Sequence, residues 1–284
     1  MKKIVFTSII LLVFLAGLSI LLYPYISNYI ISIRQSRVVA QYYKDIETLD
    51  EEESTELFEA AREYNESLKR KSNRYILSDN EMEEYLNLLD PFGNGIMGTL
   101  IIDKIDVNLP IYHGTNEGVL RVGAGHLEGT SLPIGGPGTH TVITGHRGLP
   151  SAILLSDLDK MVPGDTFTLN ILGDILTYEV DQILVVEPHE MDALAIENDK
   201  DYCTLVTCTP VGINSHRLLV RGFREVSGET EETIETQEHL SVPEEAGEID
   251  GKLVAGVILI PPLIVITIYL VISITKLRAK RRTK

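Results

Sequence analysis

The chain has 284 residues, enough for one sizeable domain with appendages. It carries 41 acidic residues against 25 basic ones, a formal net charge of −16, which argues against a nucleic-acid or acidic-polymer partner. Only two cysteines are present, Cys203 and Cys208.

Residues 4–23 are uncharged and follow Lys2 and Lys3. The run is longer than a usual signal-peptide core and shows no Ala-x-Ala cleavage site, so an uncleaved membrane anchor is expected, with a cleaved signal peptide as the alternative. A second uncharged span, residues 253–275, contains Pro261 and Pro262, a kink that membrane helices tolerate. Lys276, Arg278, Lys280, Arg281, Arg282 and Lys284 follow it. Positive residues at both outer ends predict two membrane spans, with both termini cytoplasmic and everything between outside. All 41 acidic residues lie between the spans, but only 17 of the basic ones do, which suits an acidic ectodomain.

After the first span, Val39, Tyr42, Tyr43, Ile46 and Leu49 recur at helical spacing, as do Leu57, Ala61, Tyr64 and Leu68. The acidic run 50–53 separates the sets and predicts two helices lying on the domain. Ser78-Asp79-Asn80-Glu81 has the form of a capping box, and Met82, Tyr85, Leu86 and Leu89 continue a short helix that stops at Asp90-Pro91. The following Asp90-Pro91-Phe92-Gly93-Asn94-Gly95 is rich in glycine and holds an exposed-looking aromatic. It reads either as an ordinary connector or as a lid whose aromatic plugs a pocket.

From residue 99 the texture changes to short strands, expected at 99–105, 107–112, 123–127, 139–144, 166–172, 176–186, 202–208 and 217–223. Gly and Pro punctuate them, and helical turns are expected near 151–158 and 191–196. The fold class is mainly β, a closed barrel or sandwich. Residues 229–250 are acidic and poor in apolar side chains, as in a linker.

The stretch Thr204-Leu205-Val206-Thr207-Cys208-Thr209-Pro210 ends a strand on a cysteine, and Arg217 opens the next. In a hairpin these are neighbours, so a thiol and a fixed cation share one site. The plain alternative is a buried structural cysteine and a surface arginine. Cys203 and Cys208 lie about 16 Å apart along a strand, too far for a disulfide, and face opposite sides. Cys203 fits core packing. A cysteine nucleophile needs an acid–base partner. Of the seven histidines, His146 ends a strand before a tight turn, and His140 stands at that strand's other end. Residue position leaves both open. No carboxylate completing a triad is apparent. No His/Cys spacing suggests a metal, no glycine-rich phosphate loop is present, and no cofactor is expected.

These residues together resemble the sortase family. Thr204-Leu205-Val206-Thr207-Cys208 matches its TLxTC motif, Thr144-Gly145-His146-Arg147 matches the neighbourhood of its catalytic histidine, and Arg217 matches its catalytic arginine. The resemblance covers about residues 99–225. Asp90-Pro91-Phe92, the helical N-terminal extension and the second span with its basic tail are similar to class C, the pilin-polymerising sortases of Gram-positive bacteria. The resemblance implies an eight-stranded sortase β-barrel. It selects His146, with Cys208 and Arg217, as the catalytic residues. It implies cleavage of an LPxTG-like sorting signal through a thioester on Cys208, and isopeptide joining of pilin subunits through an acceptor lysine. It also implies that Asp90, Pro91 and Phe92 form a lid over the site.

The resulting layout is a membrane anchor at 1–26, a helical extension and lid at 27–98, a catalytic barrel at 99–226, a linker at 227–251, and a second span with tail at 252–284. A housekeeping cell-wall-anchoring sortase, a simple cysteine peptidase and a non-catalytic membrane-tethered adhesion module are the competing readings.

Overall fold

The computed structural model describes residues 2–71 and 73–224, so the expected linker, second span and basic tail lie outside the described residues. Residues up to Ser27 form one unit and the chain from Asn28 onward another.

Helix α1 runs without interruption from Lys2–Ile46 and contains Pro24, so no break separates anchor from extension at residues 26 and 27. Its apolar segment is the one helix among the described residues long and apolar enough to cross a membrane. Asp50 starts α2 (Glu51–Leu68) by accepting from Glu53 N at 2.8 Å, and three glutamates in the first turn complement the helix dipole. The capping box opens α3 (Asp79–Asn87) as expected, with Ser78 N donating to Glu81 Oε2 at 2.8 Å.

Eight strands follow: β1 (Ile96–Ile102), β2 (Val107–His113), β3 (Ala124–His126), β4 (Thr139–Thr144), β5 (Thr166–Ile171), β6 (Asp174–Val186), β7 (Asp201–Thr209) and β8 (His216–Phe223). They close into a barrel in the order β1-β2-β3-β4-β7-β8-β6-β5. All eight expected strands are present, with shifted ends. β1 begins at Ile96, before residue 99, and Asp103–Ile105 is a 3-10 turn that ends in a left-handed residue, Asp106. The helical turns expected near 151–158 and 191–196 are 3-10 turns at Leu158–Lys160 and Asp192–Leu194. Helix α4 (Glu117–Leu120), a single turn capped by Asn116, was not expected.

β6 serves two partners, β5 with its first half and β8 with its second. A register shift between Val180 and Gln182 bends it from one to the other. Asp181, at that shift, makes a bidentate pair with Arg221 at 3.0 and 2.7 Å, and Arg221 lies 4.1 Å over the Tyr202 ring. At the β1–β5 seam a Cβ on Gly98 would stand 2.6 Å from Asn170 O, so only glycine allows the strands this close.

The barrel interior is filled by Leu100, Ile102, Ile111, Phe167, Tyr178, Leu205 and Val220, all buried. The helices add their predicted stripes from outside. The Tyr42 hydroxyl of α1 accepts from Leu172 N at 2.7 Å, and the Asn65 amide of α2 bonds Leu132 N and O at 2.7 and 3.1 Å. Tyr85 of α3 donates to His126 Nδ1 at 3.0 Å.

Two buried histidines are saturated as neutral rings. His126 Nε2 donates to Ser131 O at 2.9 Å while Nδ1 accepts from Tyr85. His140 Nδ1 donates to Ala195 O at 2.8 Å while Nε2 accepts from the Thr204 hydroxyl at 2.7 Å. Burial pushes both down to about 4. The unfolded chain therefore binds more protons between pH 6.5 and 4, and stability falls as pH falls through that window. Each histidine accounts for on the order of 3 kcal/mol of that loss. Melting monitored by circular dichroism should fall by on the order of 10 °C from pH 7 to pH 4. The NMR shifts of the two rings should stay those of neutral imidazole down to pH 5. A flat melting profile would contradict the assignment.

Candidate active site

The strand register assembles the site. β4 and β7 run parallel with Thr144 opposite Val206, so Gly145 and His146 leave β4 where Thr207 and Cys208 complete β7. Gly145 N donates to Val206 O at 3.0 Å, and the Thr207 hydroxyl donates to Gly145 O at 2.8 Å, extending the pairing past the strand end. β7 and β8 run antiparallel with Cys208 opposite Arg217. β6 ends at Val186, which also faces Arg217.

Cys208, His146 and Arg217 line one cavity of about 330 Å³. Its walls are largely apolar, from Leu127, Val142, Leu194, Val206 and Leu219. The Arg217 guanidinium donates to the carbonyls of Asn214 and His216 at 3.2 and 3.1 Å, and no carboxylate pairs with it among the described residues. His146 is partly exposed, yet its Nε2 is buried without a hydrogen-bond partner. The nearest charge is Glu117 Oε2 at 3.4 Å, near enough for an ion pair but poorly aligned for a hydrogen bond. Such an unpaired buried nitrogen, on a residue that lines the same cavity as Cys208, is a group left free to bind. His140, the alternative, is buried, saturated and absent from the cavity wall.

The two thiols differ in kind. Cys203 is fully buried, and burial followed by the neighbouring Asp201 charge pushes its thiol well up. Cys208 is half-buried and faces the cavity.

Asp90, Pro91 and Phe92 do not reach this cavity. The Asp90 carboxylate caps its own turn, accepting from Asn94 N at 3.0 Å and Gly95 N at 2.8 Å. His113, at the end of β2, holds the flanking residues by donating Nε2 to Leu88 O at 2.7 Å and its backbone N to Gly95 O at 3.0 Å. The turn leads straight into β1, which is separated from β7 by three strands in either direction around the ring.

Glu117 is the site neighbour that sequence reasoning missed. It stands 29 positions before His146, on the unexpected single-turn α4. Arg121 donates to it at 2.9 Å and, ahead of His146, holds its carboxyl below the usual range. The signal that would have found it is the Asn116-Glu117 pair, a capping residue followed by an acid.

A thiol, an imidazole and a guanidinium around an apolar cleft on a closed barrel suit acyl transfer through sulfur. The comparisons with known proteins agree. The family model for the sortase domain matches residues 100–225. Sortase C1 from Streptococcus agalactiae is 46% identical, covering 68% of this chain and 100% of that one, with a TM-score of 0.65. Sortase C from Streptococcus pneumoniae, whose structure concerned catalysis and pilin substrate specificity, is 44% identical over 68% of this chain and 99% of that one, with a TM-score of 0.61. Sortase C from Clostridium perfringens, solved with the C-terminal cell wall sorting motif, is 42% identical over 66% and 97%, with a TM-score of 0.59. The chain belongs to the sortase family, in its class C. It is accordingly a cysteine transpeptidase.

Iodoacetamide should alkylate Cys208 in the folded protein and leave Cys203 untouched until denaturant is added, as read by peptide mass mapping. Asp90→Ala with Phe92→Ala should change the alkylation rate of Cys208 by less than about twofold if the turn is a connector, since neither residue lines the cavity. A large acceleration would establish it as a lid.

Proposed function

We propose that this protein cleaves an LPxTG-like sorting signal and joins pilin subunits by isopeptide bonds. The observation that carries this reading is the meeting of Cys208, His146 and Arg217 on one apolar-walled cavity. Class C relatives support it, one described with pilin substrate specificity and one with a cell wall sorting motif.

The Cys208 thiolate attacks the carbonyl carbon of the signal's threonine, forming the C–S bond. The Arg217 guanidinium holds the developing oxyanion by charge-assisted hydrogen bonds. The C–N bond to the following glycine breaks, and His146 gives its proton to the leaving amine. A pilin lysine amine then attacks the thioester, His146 takes its proton, and the Cys208 thiolate departs. The apolar wall suits the leucine and proline of the signal. Glu117, 3.4 Å from His146 Nε2, steadies the ring from the solvent side. Being exposed, it contributes little by itself.

The N-terminal apolar helix anchors the protein, and residues 253–275 cross the membrane a second time with their basic tail inside. Both termini are cytoplasmic and the barrel is outside.

Incubation with an LPxTG-type peptide should yield an acyl adduct by intact mass that Cys208→Ala abolishes. Arg217→Ala should slow its formation by about 10²–10³-fold and His146→Ala by about 10²–10⁴-fold. An adduct that persists in Cys208→Ala would refute the nucleophile. Release of only hydrolysed peptide when a pilin lysine is supplied would refute the joining reaction.

A further inference from the structure

Between β6 and β7 the chain runs through residues 187–200 and gives Glu187, Pro188, Glu190, Met191 and Leu194 to the cavity wall. The segment folds on itself. Glu190 N donates to Glu187 O at 3.0 Å, Leu194 N to Met191 O at 3.0 Å, and Lys200 N to Glu197 O at 3.2 Å. Such turns shape the segment without fixing where it stands against the barrel. Its last residue is tied down, since Gly138 N and Thr139 N donate to Lys200 O at 2.8 and 3.1 Å. Among the described residues, its middle receives two hydrogen bonds from elsewhere. His140 Nδ1 donates to Ala195 O at 2.8 Å, and Arg74 Nη2 donates to Leu194 O at 2.7 Å.

The two ties differ in origin. His140 belongs to β4, whereas Arg74 lies between α2 and α3, before the sortase-domain match begins at residue 100. Its own position is set twice over. A Cβ on Gly129, whose φ is +79°, would stand 2.1 Å from Arg74 O, so the backbone at residue 74 rests on the β3–β4 connection where only glycine admits it. The guanidinium lies 4.9 Å over the Tyr75 ring, and Nη2 also donates to the Tyr75 hydroxyl at 2.8 Å. A guanidinium oriented in this way makes a charge-assisted bond with little further loss of freedom. What it holds is the wall itself. Leu194 is buried and packs with Val142 and Leu219, which line the cavity with it.

We propose that Arg74 is a positioning residue for the sorting signal: by holding Leu194 O it keeps the β6–β7 segment in place as a preformed wall for the peptide. The proposal rests on the sorting-signal reading above. Arg74 is not itself on the cavity wall and touches no reacting group, so its loss acts on binding. Without the tie, the peptide must order the segment as it binds, and that ordering weakens affinity. Cys208 and Arg217 stay where the β7–β8 pairing puts them, so the chemical step is spared.

The test follows acyl-adduct formation on the full chain in detergent, by intact mass, across a range of LPxTG-type peptide concentrations. Arg74→Met keeps the stem of the side chain and removes its donors. It should raise the half-maximal peptide concentration about five- to tenfold and leave the maximal rate within about twofold. Arg74→Lys, which keeps the charge but not the planar fork, is the second variant, with an expected rise of about two- to fivefold. Tyr42→Phe is the stability control. It strips Leu172 N of its acceptor away from the cavity, and should leave both quantities within about twofold of wild type. Half-maximal concentrations within about twofold of wild type in both Arg74 variants overturn the proposal. So does a rise in Tyr42→Phe equal to that in Arg74→Met, or a loss confined to the maximal rate. Wild-type protein that forms no adduct overturns the sorting-signal reading, and this proposal with it.

Discussion

The parallel pairing of β4 with β7 is the constraint from which the site follows. Thr144 opposite Val206 makes the two strands finish together, and β8 returning from the same end sets Arg217 beside Cys208. A slip of one residue in either ladder would turn Cys208 toward the interior and bring Cys203 outward, because side chains alternate along a strand. The pairing is fixed well beyond the two strands. Leu205 and Val220 fill the barrel, and Thr207 ties its hydroxyl to Gly145 O. Asp201 closes the other end of β7 with bonds from Arg224, Tyr178 and Gly136. The core thus dictates register, and register dictates which side chains meet.

Polar satisfaction separates structural groups from working ones. His126 and His140 each spend both ring nitrogens on fixed partners, and burial keeps them neutral. Such rings brace the wall and have no lone pair to offer. Among the described residues His146 Nε2 is buried without a hydrogen bond, and Arg217 donates to two carbonyls of its own turn. The free valences gather at the cavity that Cys208 faces. An unpaired buried group costs stability, and the cost falls at the cavity that the half-buried Cys208 lines.

Most of the architecture was legible because the chain is punctuated. Gly and Pro separate β-branched runs, and all eight strands fell within a few residues of their expected ends. The helix stripes were equally plain: Val39, Tyr42, Ala61, Tyr64 and Leu68 are all buried. The Cys208–Arg217 neighbourhood followed from two strand ends and a short loop. What was not legible depended on distant pairing. Asp90-Pro91-Phe92 has a local pattern suited to a lid or a connector, and its position is set by β1, whose place in the ring no local pattern reveals. Glu117 sits on one helical turn, too short to leave a period. The choice between His140 and His146 needed the knowledge that β4 points its end, not its start, toward Cys208. The unbroken passage of α1 through Pro24 was also hidden, since a proline in sequence suggests a stop and here does not make one.

The separation of the paired elements along the chain has a consequence for how the protein is made. Gly145 and Thr207 meet across 62 residues, and β7 has no second neighbour until β8 has been synthesised. Local contacts alone do not hold β7 in place, and loop closure over that distance precedes any gain from the pairing. The cavity wall is therefore incomplete in the nascent chain and closes only with the final strand. Until β8 completes the ring, Cys208 has no Arg217 opposite it.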